Sequence, residues 1–173
     1  MPPVKRSRTA RLMLMSLAPL ALTACEESTE AHVYSSVDEC VSAGMMDRAA
    51  CQAAYADAQA AAVDNSPRYA NRADCVADFG EQQCSTQAHA HGYFFPLMTG
   101  FLLARAMDNR GALAPQPLYR PRTGNWTTAG GYNVGRSTGL VRVDRAATLP
   151  QRAVTQSRAG FGSTAATRSG AGS

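Results

Sequence analysis

With 173 residues, fourteen Gly, nine Pro, five Phe and one Trp, the chain is long enough for one modest domain but short of large apolar residues. A large single core is thereby excluded, and a small folded region with extended flanks is expected. The formal net charge of +4 is that of Lys5, Arg6, Arg8 and Arg11 alone, so the remainder of the chain sums to zero.

Those four cations form a basic n-region, and Leu12 to Ala24 follow as thirteen largely apolar residues. As a helix this stretch runs about 20 Å, against the ~30 Å of a hydrocarbon core, so it reads as the h-region of an export signal and not as a membrane span. It closes on Leu22-Thr23-Ala24-Cys25. That is the lipobox pattern: a branched apolar residue, two small residues that fit a signal peptidase, and a cysteine whose sulfur takes up diacylglycerol. Residues 1–24 are expected to be removed and Cys25 to be lipidated, with a fatty acyl chain such as palmitate added to the freed amino group. Two or three chains anchor durably where one does not. Glu26 stands where an Asp would favour inner-membrane retention. The expected place is therefore the bacterial envelope, periplasm-facing, with the outer membrane favoured over the inner. Residues 25–35 are read as a tether.

Four cysteines remain, Cys40, Cys51, Cys75 and Cys84. An even number in an exported chain reads as two disulfides, and three pairings are open. An internal repeat favours one of them. Tyr34 stands six residues before Cys40 and Tyr69 six before Cys75; each cysteine follows an acid and precedes a valine, with Gly44 or Gly80 next and then a second cysteine. The simplest pairing is Cys40–Cys51 and Cys75–Cys84. The ten and eight intervening residues do not suit one zinc ion, whose paired thiolates usually lie two to four residues apart.

Around these cysteines the sequence predicts helices. Ser36 with Glu39 forms a capping box, opening a short helix that Gly44 ends. Asp47 caps a longer one reaching about Val63, and Asn71 with Asp74 opens a third that runs to Phe79. Asp64-Asn65-Ser66-Pro67 is a turn. Tyr34, Tyr55, Tyr69 and Phe79 are the expected aromatic packing partners.

From Tyr93 to Met107 the chain is strongly apolar, and Pro96 suits the first turn of a helix reaching Met107. At about 18 Å such a helix is too short to span a bilayer. One reading makes it a core helix. The other makes it a docking segment for a membrane interface or an envelope protein, through Phe94, Leu97, Met98, Phe101 and Leu102, with Gly100 and Ala104 as a small contact face. Residues 36–110 thus form the expected helical, disulfide-stapled region. Residues 111–173 read as a Pro-, Gly- and Arg-rich flexible tail, with Leu140-Val141-Arg142-Val143 as a short strand hairpinned with Asn125-Trp126-Thr127, and disorder after about Ala146. The expected fold class is mainly α: a small disulfide-stapled helical domain with a largely irregular C-terminal half.

Several segments carry a resemblance. Ser66-Pro67-Arg68-Tyr69-Ala70 and Asp74-Cys75-Val76-Ala77-Asp78-Phe79-Gly80-Glu81 with Cys84 resemble the hallmark segment of the YgiB-like family of bacterial envelope proteins. Pro96-Leu97-Met98-Thr99-Gly100-Phe101, Gln116-Pro117-Leu118-Tyr119 and Gly160-Phe161-Gly162 resemble its later landmarks in the same order. The family is a domain of unknown function, so the resemblance implies an envelope protein but no reaction and no catalytic residues. The chain departs from the family pattern between Cys84 and Phe94, where it is shorter, less Gln-rich, and carries His89 and His91.

Charge divides the halves. Residues 25–84 hold eleven Asp/Glu and three Arg, a net of −8, and residues 85–173 hold ten Arg and two Asp, a net of +8. Arginine forks on a flexible tail suit anionic headgroups, phosphate or carboxylates; alternatively the basic half folds back on the acidic helices. Nucleic acid matches the charge but not the compartment, and is not an expected partner. No nucleophile motif or phosphate-binding loop is present, and no cofactor is expected. The leading expectation is a non-catalytic, membrane-tethered interaction or structural protein. The rival is a metal-binding or enzymatic periplasmic module using His89 and His91, a pair without a fixed third ligand.

Overall fold

The computed structural model describes residues 28–85, 92–104 and 114–152 and the two-residue strand 155–156. The export signal, Cys25, His89, His91 and the Gly160–Gly162 landmark lie outside the described residues.

In chain order the elements are β1 (Ser28–Tyr34), α1 (Val37–Ser42), α2 (Arg48–Asn65), β2 (Arg68–Tyr69), α3 (Arg72–Phe79), β3 (Gly100–Ala104), β4 (Gln116–Tyr119), β5 (Trp126–Thr128), β6 (Asn133–Gly135), β7 (Gly139–Asp144) and β8 (Thr155–Gln156). Six strands form one sheet of order β6-β5-β4-β3-β1-β7, every pairing antiparallel. The edge strands β6 and β7 are joined by three residues and lie against each other, curling the sheet into a nearly closed barrel. β2 and β8 pair in parallel apart from it.

The protein is therefore mostly β, which corrects the expected mainly α class. The helices themselves form where the caps predict: Ser36 Oγ accepts from Glu39 N, Asp47 Oδ1 from Ala50 N, and Asn71 Oδ1 from Asp74 N. What differs lies on either side of them. The expected tether contains β1, whose Thr29, Ala31 and Val33 are buried while Glu30 is exposed and His32 half-exposed. The expected helix from Pro96 is a strand over Gly100–Ala104, and Pro96 itself bridges to Cys84. The expected tail supplies β4 to β7. The strand over Leu140–Val143 is present as β7, yet it pairs with β1, whereas Trp126 lies on a strand between β4 and β6.

The barrel interior holds Ala31, Val33, Leu102, Ala104, Leu118, Trp126, Val134, Val143 and Ala147. Alternation along each strand puts these on one face: Val33 stands opposite Leu102, Ala31 opposite Ala104 and Val141. Trp126, the sole tryptophan, fills the space that small neighbours leave. A Cβ at Gly100 would lie 2.9 Å from Trp126 Cζ3 and 2.6 Å from the Tyr34 carbonyl oxygen, so the indole rests directly on a glycine backbone.

β3 is buried on both faces. Leu102 points into the barrel, and Phe101 points outward to Tyr34 and Tyr55 beneath the α1–α2 hairpin. A second outer cluster joins Tyr69, Cys75, Phe79 and Cys84 to Tyr119 and Ala129. The disulfide-bearing helices are thus a layer on the outside of a β-barrel core.

Candidate functional site

Cys40 is bonded to Cys51 and Cys75 to Cys84, the pairing that the repeat favours. All four are buried, the first pair at the α1–α2 crossing and the second closing α3 onto the 3-10 turn Glu81–Gln83. Gly80, at φ 91°, makes the reversal between α3 and that turn, a conformation that suits glycine. Both bridges support the helical layer.

The five apolar residues expected to meet a partner do not make one surface. Phe101 and Leu102 are buried on opposite faces of β3, and Phe94 and Met98 are half-buried in the outer clusters. Leu97 is exposed. His32 sits on the outer face of β1 with its ring stacked 5.8 Å from that of Tyr34. Among the described residues no group of three His, Cys, Asp or Glu is arranged to hold a metal ion, and no helix is long and apolar enough to cross a membrane.

Two buried phenols hold the helical layer, Tyr69 from β2 to α3 and Tyr119 from β4 of the barrel to the end of α2. Tyr69 donates to Asp78 Oδ2 at 2.7 Å, and Tyr119 Oη is hydrogen-bonded to Ser66 Oγ at 2.8 Å. Burial, then the Asp78 bond and the charges of Asp78 and Asp74, push the Tyr69 phenol far above its ordinary value. Burial pushes Tyr119 up to about 12, the Ser66 contact pulling weakly the other way. Both groups have folded values above the unfolded value of 10. Their stabilising contribution is whole below pH 10 and is lost as pH rises from there through the folded values. The melting temperature should accordingly fall from pH 10 towards 12. Phenolate absorbance should also show Tyr69 and Tyr119 ionising only above pH 10. Titration of these two at 10 with a constant melting temperature would contradict this account.

The two ends of the barrel differ. At one end Ser28 stands opposite Asp144. The chain after β7 closes this end: Gln151 Oε1 accepts from Thr128 Oγ1 and Gly130 N. At the other end, where Tyr34, Gly100 and Gly139 lie, two arginines rest against one short segment. Arg120 Nε donates to the Gly124 carbonyl at 3.3 Å, with its guanidinium 5.0 Å from the centre of the Trp126 ring. Arg136 Nε donates to Asn125 Oδ1 at 2.9 Å. Alternation explains their common position, since Arg120 follows inward-facing Leu118 by two residues and Arg136 follows inward-facing Val134 by two. Neither forms an ion pair among the described residues. Glu39, at the same end, is engaged elsewhere: burial opposes its charge, but hydrogen bonds from Ser35 and Thr138 outweigh this and hold its carboxyl below the usual range. The sequence presents Arg120 and Arg136 only as members of an Arg-rich tail; their period-two spacing from apolar residues was the signal of fixed positions. The exposed pair Arg142–Glu30, 3.9 Å apart, joins the basic half to β1 and not to the acidic helices of the expected fold-back.

A family model described as a protein of unknown function, DUF1190, matches residues 28–172. The UPF0441 protein of Sodalis glossinidius is 37% identical over 180 residues, covering 92% of this chain and 83% of its own length. That of Pectobacterium carotovorum is 35% identical, with 94% and 84% covered. One from Yersinia pestis is also 35% identical, with 95% and 86% covered. No solved structure matches.

Proposed function

The chain belongs to the DUF1190 family, and on that premise we propose that it is a non-catalytic lipoprotein of the bacterial envelope, tethered through Cys25 and acting as an interaction or structural protein. The observation that carries this reading is the position of the lipobox. Leu22-Thr23-Ala24-Cys25 is followed by Glu26 and Glu27, and then at once by Ser28, where both β1 and the family match begin. The removable signal and the folded body meet at the one cysteine outside the two disulfides. Buried disulfides suit an oxidising compartment such as the periplasm. The tether holds a β-barrel with a helical layer, and its surface is the means of action.

The test is the mass of the N-terminal peptide from separated inner and outer membranes, wild type against Cys25→Ser. The expected result is an acylated Cys25, in the outer-membrane fraction, that is absent from the variant. An unmodified N-terminus in the soluble fraction would overturn the tether.

A further inference from the structure

We propose that the barrel end bearing Arg120 and Arg136 binds carboxylate groups of an acidic peptide segment of a partner protein. Each guanidinium is fixed by its Nε, Arg120 on the Gly124 carbonyl and Arg136 on Asn125 Oδ1. Among the described residues this leaves the terminal nitrogens of both as paired donors at adjacent points of one segment. The Trp126 ring lies against the Arg120 guanidinium and restricts its motion further. Arginines ordered before binding lose little entropy on meeting an anion, and a fork of parallel N–H groups matches a carboxylate.

The source of the anion follows from position. β1 is seven residues long, and the arginines lie at its Tyr34 end, while Cys25 precedes its Ser28 end. The strand separates the two ends by about 20 Å, roughly twice the Debye length at physiological salt. On the reading that Cys25 carries lipid, the anchor joins the chain at the Ser28 end of β1, opposite the arginines, which favours a protein over the tethering membrane as their partner.

The full mature chain in detergent micelles is titrated with hexaglutamate, and Trp126, the sole tryptophan, reports binding beneath Arg120. A saturable change in emission is expected, weakened by salt. Arg120→Lys with Arg136→Lys keeps the charge but loses the forks, and should weaken binding about tenfold. Arg136→Gln, which leaves the Trp126 contact in place, should weaken it as well. Arg142→Gln, at the far end of β7, removes one charge and should leave binding unchanged. The proposal fails if no saturable change occurs, if the lysine pair binds as wild type, or if Arg142→Gln weakens binding as much as Arg136→Gln. It also fails if inorganic phosphate or phosphatidylglycerol vesicles saturate the response where hexaglutamate does not. Lipidation is read separately by the peptide mass, so either idea can fail alone.

Discussion

Trp126→Ala is expected to destabilise the protein by about 3–5 kcal/mol, the range for removing a large aromatic from a close-packed interior. The indole is 2% exposed and lies among Leu102, Leu118 and Val134 inside the barrel. Its neighbour across β3 and β4 is Gly100, so no side chain on that side can move in to fill the hole. The cavity term should therefore be close to its full size. Trp126→Phe should cost much less, because Trp126 Nε1 has no acceptor among the described residues and the change sacrifices no hydrogen bond there. Urea unfolding followed by far-ultraviolet circular dichroism measures both. Equal losses for Ala and Phe would show that a phenyl ring restores none of the lost packing, contrary to this account.

Replacing all four disulfide cysteines by serine should remove about 5–6 kcal/mol. The bridges close sequence separations of 11 and 9 residues, and each such loop is worth roughly 2.7 kcal/mol in restricted freedom of the unfolded chain. Serine adds the burden of hydroxyls in sites where Cys40, Cys51 and Cys75 are 0% exposed. Against the ~5–15 kcal/mol of a typical domain, a loss of this size leaves little or no folded protein. Each double variant alone should show about half the effect. Reductant should lower the wild-type midpoint towards that of the fourfold variant, stopping short by the cost of the buried hydroxyls. An unchanged midpoint in reductant would mean that packing around α1, α2 and α3 holds them without the bridges.

The helical layer was legible in the sequence because its determinants are local: a cap, an acid three residues on, and a glycine at the end. The barrel was not, because its strands are defined by distant partners. Seven residues at β1 read as a tether, since Thr29 and Ala31 are too small or polar to announce a buried face; they are buried because Val143 and Ala104 stand opposite. The apolar run around Phe101 has no period, and a short strand buried on both sides cannot be told from a core helix by periodicity. β5 and β6, of three residues each, are too brief to show alternation at all. For the arginine-bearing end, the sequence supplied the residue type, while the register of β4, β5 and β6 supplied the place.

The position of β1 between β3 and β7 also orders events in time. Its two neighbours begin at Gly100 and Gly139, so β1 finds its second edge only after more than a hundred further residues. Pairings of such long range are slow to form. The two cysteine-closed helical hairpins, by contrast, need only nearby chain. A polypeptide emerging from the N-terminus will therefore acquire its bridges early and its barrel last. The barrel cannot close until nearly all of the chain is present.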